Sequence, residues 1–470
     1  MERPAVVSTI PGTTTSSRPP DEERWANLDR TIGGWWDSDA VSATEERLVQ
    51  VNPTAPPEFG TLLFLPFPYV PPSGSAGTFT TMYAWDTDFT SRALLAHGRG
   101  DLVRGHLLNY LFMVSRFGYM PNANVTSVMS RSQTPLIADT VWRYHLATKD
   151  EELLEHAFPL LKQNYRRYWN AEHHQTPIGL ATNRDLGDPY WPPELAAEAE
   201  TGWDWTPIFG GDVRRCAPLI TNCALVRYAR ALSLIAGQLG RETEAEQFHA
   251  DAERRAELIR RYCWNEELGF FVEYDHVAQR QLPYLSSCAF YALWTGVATP
   301  DQAGQLADRL PLFEHEYGLA CTDREYPDPH PDAYPDRPPI AADVPPDLVG
   351  GQGQLQWMYP AGWAPEHLIA AEGLDAYGYT AAARRVSARF LRLLVDRYHE
   401  TGHLWEKYNV VDGTLVLPNS RCGNVPLRGW TATAVVLLGR YVYRGDPLAP
   451  TPVVELTAGS DGPRPEHEER

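Results

Sequence analysis

Long apolar runs, closely spaced cysteines and an excess of basic residues are all missing from this chain. No apolar stretch in its 470 residues reaches the roughly 20 that a spanning helix needs, so no membrane span is expected. Residues Met1 to Pro20 are rich in Pro, Ser and Thr and lack the apolar centre of a signal peptide; they read as a disordered leader. The six cysteines (Cys216, Cys223, Cys263, Cys288, Cys321, Cys422) are scattered, with no Cys-x-x-Cys and no paired histidine spacing. That pattern predicts reduced thiols in a cytoplasm and speaks against zinc. The 41 basic residues fall short of the 60 acidic ones, giving a net charge of −19. Nucleic acids and anionic membrane surfaces, which call for clustered Lys and Arg, are therefore poor partners. No fixed-period repeat is visible, which weighs against a solenoid.

Aromatic residues, by contrast, are plentiful, with 15 Trp and 23 Tyr. Most belong to a core, and a minority can line a carbohydrate cleft. Apolar residues recur at helical spacing along most of the chain. The spacing predicts helices over 22–32, 88–97, 102–112 (capped by Asp101), 135–147, 151–168, 219–239 and 242–264. Further helices are expected over 288–296, 301–310, 363–373, 380–399 and 430–443. A kink or break is expected at Pro159, and Gly240 reads as a C-cap. Within 380–399, Val386, Phe390, Leu393, Leu394 and Tyr398 mark one buried stripe. The best strand is 269–274.

About a dozen helices with alternating short and long connections suit an all-α class, a toroid of helical hairpins of the (α/α)6 type with minor β structure in its long loops. The expected boundaries are a disordered leader over 1–22, one helical domain over 23–446, and a disordered acidic tail over 447–470. The connections 177–218 and 327–363 are too long for mere links and are expected to carry function.

Two acids sit in aromatic-rich peptides of the kind that grip a sugar. Asp204 lies in Thr201-Gly-Trp-Asp-Trp205, and Glu406 in Leu404-Trp-Glu-Lys-Tyr-Asn409. Two carboxyls flanking a glycosidic bond are enough to hydrolyse it: one protonates the leaving oxygen and the other activates water. Apolar walls such as Trp203 and Trp205 favour the protonated form that a general acid needs. The plainer alternatives are a turn cap at Asp204 and an exposed Glu406–Lys407 ion pair.

Several separated peptides line up with one family. They are Tyr83-Ala-Trp85-Asp86-Thr87, Met120-Pro-Asn122-Ala-Asn124 followed by Ser130-Arg131-Ser132-Gln133, and Gly202-Trp203-Asp204. Then come Gln356-Trp357-Met358-Tyr359-Pro360-Ala361-Gly362-Trp363-Ala364-Pro365, Glu406-Lys407-Tyr408 and Gly429-Trp430-Thr431. In order and approximate spacing, from Phe79 to Thr431, they resemble the signature peptides of trehalases, glycoside hydrolase family 37. The resemblance implies an inverting (α/α)6 hydrolase that uses no metal and no cofactor, with Asp204 as general acid and Glu406 as general base. It places Phe79, Tyr83, Trp85, Asp86, Asn122 and Arg131 on the substrate. Gln133, Glu194, Trp203, Trp357 and Trp430 join them there. The residue types suit these roles, since rings stack on sugar faces and Asp86 can hold two hydroxyls. Arg131 with Gln133 offers donors for vicinal hydroxyls.

The departures from the family fall on its arginines. The family's arginine before Phe79 is Thr78 here, and a glutamate after it is Thr81. An Arg-Pro-Glu peptide becomes Pro192-Pro193-Glu194, keeping only Glu194. The aspartate after Trp357 is Met358, and residues 418–424 replace a glycine-rich lid. Of three family arginines that contact substrate, Arg131 alone remains. Losing one bidentate arginine costs on the order of a few kcal/mol, so the half of the site that holds the leaving sugar is expected to be rebuilt.

The expected substrate is trehalose or a related small α-glucoside, cleaved in the cytoplasm by a monomer or weak homo-oligomer. A second reading keeps the mechanism but takes an α-glucoside or α-mannoside of a small polyol or acid, such as glucosylglycerate or mannosylglycerate. Against it, such enzymes carry Gly-x-Asp-Asn-Ser-Pro around the acid, where this chain has Gly202-Trp-Asp-Trp-Thr-Pro207. A third reading is a non-catalytic carbohydrate-binding protein, which would have no need of both acids.

Overall fold

The computed structural model describes residues 21–50, 59–74, 77, 79–188, 191–329, 355–417 and 424–449. Thr78, Cys422, most of the expected leader and tail, and much of the 327–363 connection lie outside the described residues. Within them, twelve long or short helices alternate along the chain between two concentric rings. The outer ring comprises α1 (Glu22–Asp39), α3 (Gly100–Phe117), α5 (Glu151–Asn164), α8 (Glu242–Cys263), α10 (Pro300–Arg309) and α12 (Thr380–Thr401). The inner ring comprises α2 (Ala84–Ala96), α4 (Ile137–Thr148), α7 (Leu219–Gln238), α9 (Tyr291–Trp294), α11 (Ala364–Ala376) and α13 (Gly429–Gly439). Each inner helix packs against the next, and α13 returns to α2, closing the ring. A further helix, α6 (Pro193–Ala199), lies in the connection between α5 and α7. This is the (α/α)6 toroid, with short two- to four-residue strands confined to its loops.

Burial separates the two rings as physics requires. An inner helix has neighbours on every side, so α11 buries every residue from Ala364 to Leu374 and α13 every residue from Gly429 to Val436. An outer helix has one face in water and shows an apolar stripe. In α8 that stripe is Phe248, Ala252, Ala256, Ile259 and Cys263, and in α12 it runs through Val386, Phe390, Leu393 and Leu394. Helix α7 is long and apolar enough to cross a membrane by length and composition, but 89% of that window is buried inside the ring. It is a core helix.

Several ends follow local rules. Asp21 caps α1 through the Glu23 and Arg24 amides, and Thr299 forms a capping box with Gln302 ahead of α10. Gly240 takes the left-handed conformation (φ 68°) just past α7. Asp101 sits inside the first turn of α3 and pairs with Arg99 instead of capping. The expected break at Pro159 does not occur. Pro159 faces solvent, where water can replace its lost hydrogen bond, and α5 continues to Asn164 before a π-turn at Tyr165–Trp169. The expected 288–296 helix is a 3-10 turn, Ser287–Phe290, running into the short α9.

The seam of the ring lies between α13 and α1. There the Trp25 indole N–H donates to the Val435 carbonyl at 2.9 Å, and Arg428 pairs with Asp39 at 2.6 Å. Any side chain on Gly439 would collide with the Trp25 ring.

Inside the ring, a buried charge hub joins four inner helices. Glu372 on α11 meets Arg92 of α2, Arg143 of α4 at 2.8 Å, and Arg227 of α7 at 3.2 Å. Asp139 on α4 pairs with Arg143 and Arg227. Burial alone would raise the Glu372 carboxyl, but the three guanidiniums outweigh it and hold the group at about 2. Glu372→Gln would leave three buried cations facing Asp139, and should cost about 3–5 kcal/mol in urea unfolding. A loss below about 1 kcal/mol would show that the hub does not brace the ring.

Candidate active site

Short turns join each inner helix to the next outer one, as at 97–99, 149–150, 239–241 and 377–379. All the long connections run the other way, from outer to inner helix, so they gather at the end of the toroid where the inner helices begin. The peptides singled out in the sequence lie there. Trp85 and Asp86 open α2, residues 122–133 lead into α4, 194–204 into α7, 356–363 into α11, and 406–417 with 424 into α13.

Both candidate acids break an otherwise buried run. From Thr201 to Phe209 every residue is buried except Asp204, and from Leu404 to Val410 every residue is buried except Glu406. Gly202 makes the first turn possible. Its φ is +80°, and a side chain there would press against the Trp85 ring at 2.9 Å. Trp205 also adopts a positive φ of 65°, and its carbonyl accepts the Gln356 amide at 2.8 Å.

A two-stranded pairing brings the second acid in. Residues 361–363 pair antiparallel with 407–409, setting Trp363 opposite Lys407. Asn424 grips the Lys407 main chain from the other side, donating to its carbonyl at 2.7 Å. The Glu406 amide donates to Val425, and the Trp430 indole N–H donates to the Glu406 carbonyl at 3.3 Å. Lys407 is fully buried. Its ammonium lies 3.2 Å from the Glu406 carboxylate and 3.2 Å from the Gln356 Oε1. The Gln356 Nε2 in turn donates to Asp204 Oδ2 at 3.0 Å. Two acids remote in sequence are thus joined by one lysine and one amide. The Glu406–Lys407 ion pair that stood as the plainer alternative is present, with the lysine buried and not exposed.

Behind this bridge stands a wall of indoles. Trp357 stacks on Trp363 (3.9 Å, 10°) and on Trp203 (5.1 Å, 21°). Trp85 lies 5.7 Å from both Trp357 and Trp430. Of the aromatics expected at substrate, Trp85, Trp203, Trp357 and Trp430 are all at most 5% exposed. They pack against one another as one buried cluster. The Trp203 indole N–H donates to Glu366 at 3.0 Å, and the Tyr291 hydroxyl donates to the same oxygen.

Burial governs the acids of this wall. Asp86 is pushed well above the usual carboxylate range by desolvation, with the charges of Glu406 and Asp204 adding to the rise. The Asp86 carboxyl is thus near enough to Glu406 and Asp204 to be affected by their charge. Glu198, two residues before Glu200, is likewise raised by burial and by Asp204. Burial lifts Glu366 to about 7, although Trp203 and Tyr291 donate to it.

The remaining expected residues divide by role. Gln133 accepts the Trp85 amide at 3.1 Å, and Asn122 ties residue 132 to 199 through its side-chain amide. Phe79 packs edge-on to Tyr83, both half-buried. Arg131 is 1% exposed and is held by Asp188 at 2.6 Å and Asp185 at 3.1 Å. Glu194, on the first turn of α6, lies 3.6 Å from Arg214, which sets a guanidinium beside the turn where the family's Arg-Pro-Glu arginine is lost. Gln356, Lys407, Glu366 and Glu198 received no role from the sequence. The first two lie inside family-like peptides, so proximity to Trp357 and Glu406 was the available signal. Glu366 follows Trp363-Ala-Pro with nothing to mark it. Among the described residues, no three His, Cys, Asp or Glu side chains gather in a way that could hold a metal ion.

A carboxyl raised in the folded state destabilises as it ionises. The unfolded chain gives up its proton first, near 4.5, so stability falls from there until pH passes about 7. Glu366→Gln removes this component. Urea unfolding at pH 4.5 and 7.5 should show wild type losing stability relative to the variant, by at most about 3 kcal/mol. A difference that does not change with pH would mean Glu366 is already ionised at the lower value.

The model of the mannosylglycerate hydrolase MGH1-like glycoside hydrolase domain matches residues 82–424. A probable trehalase of Eremothecium gossypii is 27% identical over 421 residues, covering 76% of this chain and 54% of that protein. A periplasmic trehalase of Pseudomonas aeruginosa is 28% identical over 401 residues, covering 75% of this chain and 67% of that protein. The chain thus spans about half the length of the fungal relatives it matches. Their names put some of these relatives in the cytosol and others in the periplasm, so the likeness selects no compartment. The neutral trehalase of Saccharomyces cerevisiae shares the fold with a TM-score of 0.64 at 23% identity, covering 92% of this chain and 84% of that one. The GH63 mannosylglycerate hydrolase of Thermus thermophilus, in complex with glucose, gives 0.56 at 18%, covering 79% and 95%. The fold is that of the six-hairpin glycosidases, which trehalases and GH63 enzymes share. With the family model spanning most of the ring, the chain belongs to the mannosylglycerate hydrolase MGH1-like glycoside hydrolase domain family.

Proposed function

We propose that this protein is an inverting hydrolase of a small α-glycoside, with Asp204 as general acid and Glu406 as general base. The observation that carries the proposal is the pair of partly exposed carboxyls in two otherwise buried peptides, tied together through Gln356 and Lys407. Asp204 gives its proton to the glycosidic oxygen as the bond to the anomeric carbon breaks, and the bonding electrons leave with that oxygen. Water attacks the opposite face of the carbon, and Glu406 takes the water's proton. The products are a free sugar of inverted configuration and an alcohol, and one proton returns from Glu406 to Asp204 through solvent. Inversion needs carboxyls roughly 6.5–9.5 Å apart to admit the water, and a bridge of one amide and one ammonium suits such a gap. Asp86, whose carboxyl burial raises above the usual carboxylate range, would hydrogen-bond the sugar bound between them.

The favoured leaving group is a small acid or polyol of the glycerate kind. The family match supports it, and so does the engagement of Arg131, which two aspartates occupy. Along one face of α6, Glu198 adjoins Asp204 and Glu194 adjoins Arg214 one turn away. Arg214 is paired with Asp212 at 2.7 and 2.9 Å as well as with Glu194. Trehalose is the second reading, favoured by the six peptides shared with trehalases. The five described cysteines, all unpaired and buried, suit a reducing cytoplasm.

Purified protein should be offered mannosylglycerate, glucosylglycerate and trehalose while proton NMR follows the first-formed anomer. The expected result is release of glycerate with an early β-hexose signal. Saturable binding without release of sugar would instead mark a binding protein. Asp204→Asn and Glu406→Gln should each lower kcat by about 100-fold or more with the fold intact by circular dichroism. Turnover like wild type in either variant would remove that residue from the mechanism.

A further inference from the structure

The turn that carries Asp204 is held at both ends by one residue of α6. Glu198 is 1% exposed and stands one place before the last residue of that helix. A helix C-terminus disfavours negative charge, so nothing in α6 itself accounts for a glutamate there. Its partners beyond the helix do. The Glu198 main-chain carbonyl accepts the Thr201 amide at 2.9 Å and the Thr201 hydroxyl at 2.7 Å. The same hydroxyl oxygen accepts the Trp203 amide at 2.9 Å. On the far side of the acid, the Glu198 Oε1 accepts the Thr206 amide at 3.1 Å.

The Thr206 N–H and the Trp205 carbonyl belong to one planar peptide group. Glu198 holds its N–H end, and the Gln356 amide holds its carbonyl end at 2.8 Å. The plane cannot turn without breaking one bond or the other. Trp205 needs such a hold. Its φ of +65° lies where side chains other than glycine are rarely found, and it persists only when the surroundings fix it. Asp204 sits between this plane and the pinned Trp203 amide, and within 201–209 it alone is not buried. We infer that Glu198 is a positioning residue, whose side-chain oxygen holds the Trp205–Thr206 peptide and so keeps the Asp204 carboxyl directed at the glycosidic oxygen. This rests on the hydrolase reading above. The hold needs an acceptor at the right reach, not a charge, and no bond to Glu198 is made or broken. The proton passes from Asp204 to the glycosidic oxygen while the carbon–oxygen electron pair goes to the leaving group.

Three substitutions separate reach from charge. Glu198→Gln keeps an oxygen at the same reach, Glu198→Asp keeps the carboxyl but draws it back by one carbon, and Glu198→Leu removes the acceptor. Two substrates separate this role from a merely structural one. Fluoride departs from a sugar without being protonated, so an α-glycosyl fluoride needs Glu406 but not an acid proton. On whichever glycoside of the panel above wild type cleaves, Glu198→Leu and Glu198→Asp should each lower kcat by about 10- to 100-fold. Glu198→Gln should stay within about threefold of wild type, and fluoride hydrolysis and both KM values should change no more than that in any of the three. Glu406→Gln, run alongside, should lose both activities. Equal losses on the two substrates, wild-type kcat in Glu198→Leu or Glu198→Asp, or a loss of about tenfold or more in Glu198→Gln would each overturn the inference. So would unfolding of both Glu198→Leu and Glu198→Asp by circular dichroism. Wild-type protein that cleaves neither kind of substrate would overturn the hydrolase reading itself, before any variant is made.

Discussion

Six inner helices close a ring here because each but the last is followed by a short turn and an outer helix running back, so all six point the same way. That constraint assigns every long connection to one end. Peptides as remote as 83–87 and 429–431 are then neighbours without any contact between them having to specify it. The chemistry rests on top of a braced cylinder, and the brace is the charge hub on α2, α4, α7 and α11. Arg92 lies six residues beyond Asp86 on α2, about 9 Å lower at the helical rise of 1.5 Å per residue. Movement at the floor of the ring would therefore reach the site through a single helix.

The same desolvation has opposite outcomes in the two layers. Glu372 and Glu366 lie on one helix and are both 2% exposed. Glu372 faces three guanidiniums and is held near 2, whereas Glu366 faces an indole N–H and a hydroxyl and rises to about 7. Neutral donors do not offset the loss of water around a full charge, and cations do. The site layer is built mainly of the first kind of environment. Asp86, Glu198 and Glu366 are all raised there, and Lys407 is the buried cation set against them. Such surroundings favour protonated acids, and the Lys407 ammonium lies beside Glu406.

The fold was legible because it depends on periodicity, and the ring helices carry that signal strongly. Element ends were less so. Pro159 reads as a breaker from sequence, yet a proline on a solvent-facing turn loses only a hydrogen bond that water can replace. Helix α6 was missed although Pro193 and Glu194 mark a helix start, because seven residues inside a long connection give no period to detect. Asp204 and Glu406 were singled out through their aromatic neighbours, and each is partly exposed in an otherwise buried run. What could not be read was reach. Whether Trp357 offers its face to a ligand or to Trp203 and Trp363 is decided by residues far away in sequence. Gln356 and Lys407 are likewise ordinary until three connections converge on them.

The join between α1 and α13 has a topological corollary. The described chain begins and ends on adjacent staves of one barrel, sealed by Trp25 against the Val435 carbonyl and by Asp39 against Arg428. A linear polymer so folded is a circle with one nick. Its helical hairpins could be strung in another order, opened at a tight turn such as 377–379 on the face away from the pocket, and still present the same two acids to each other.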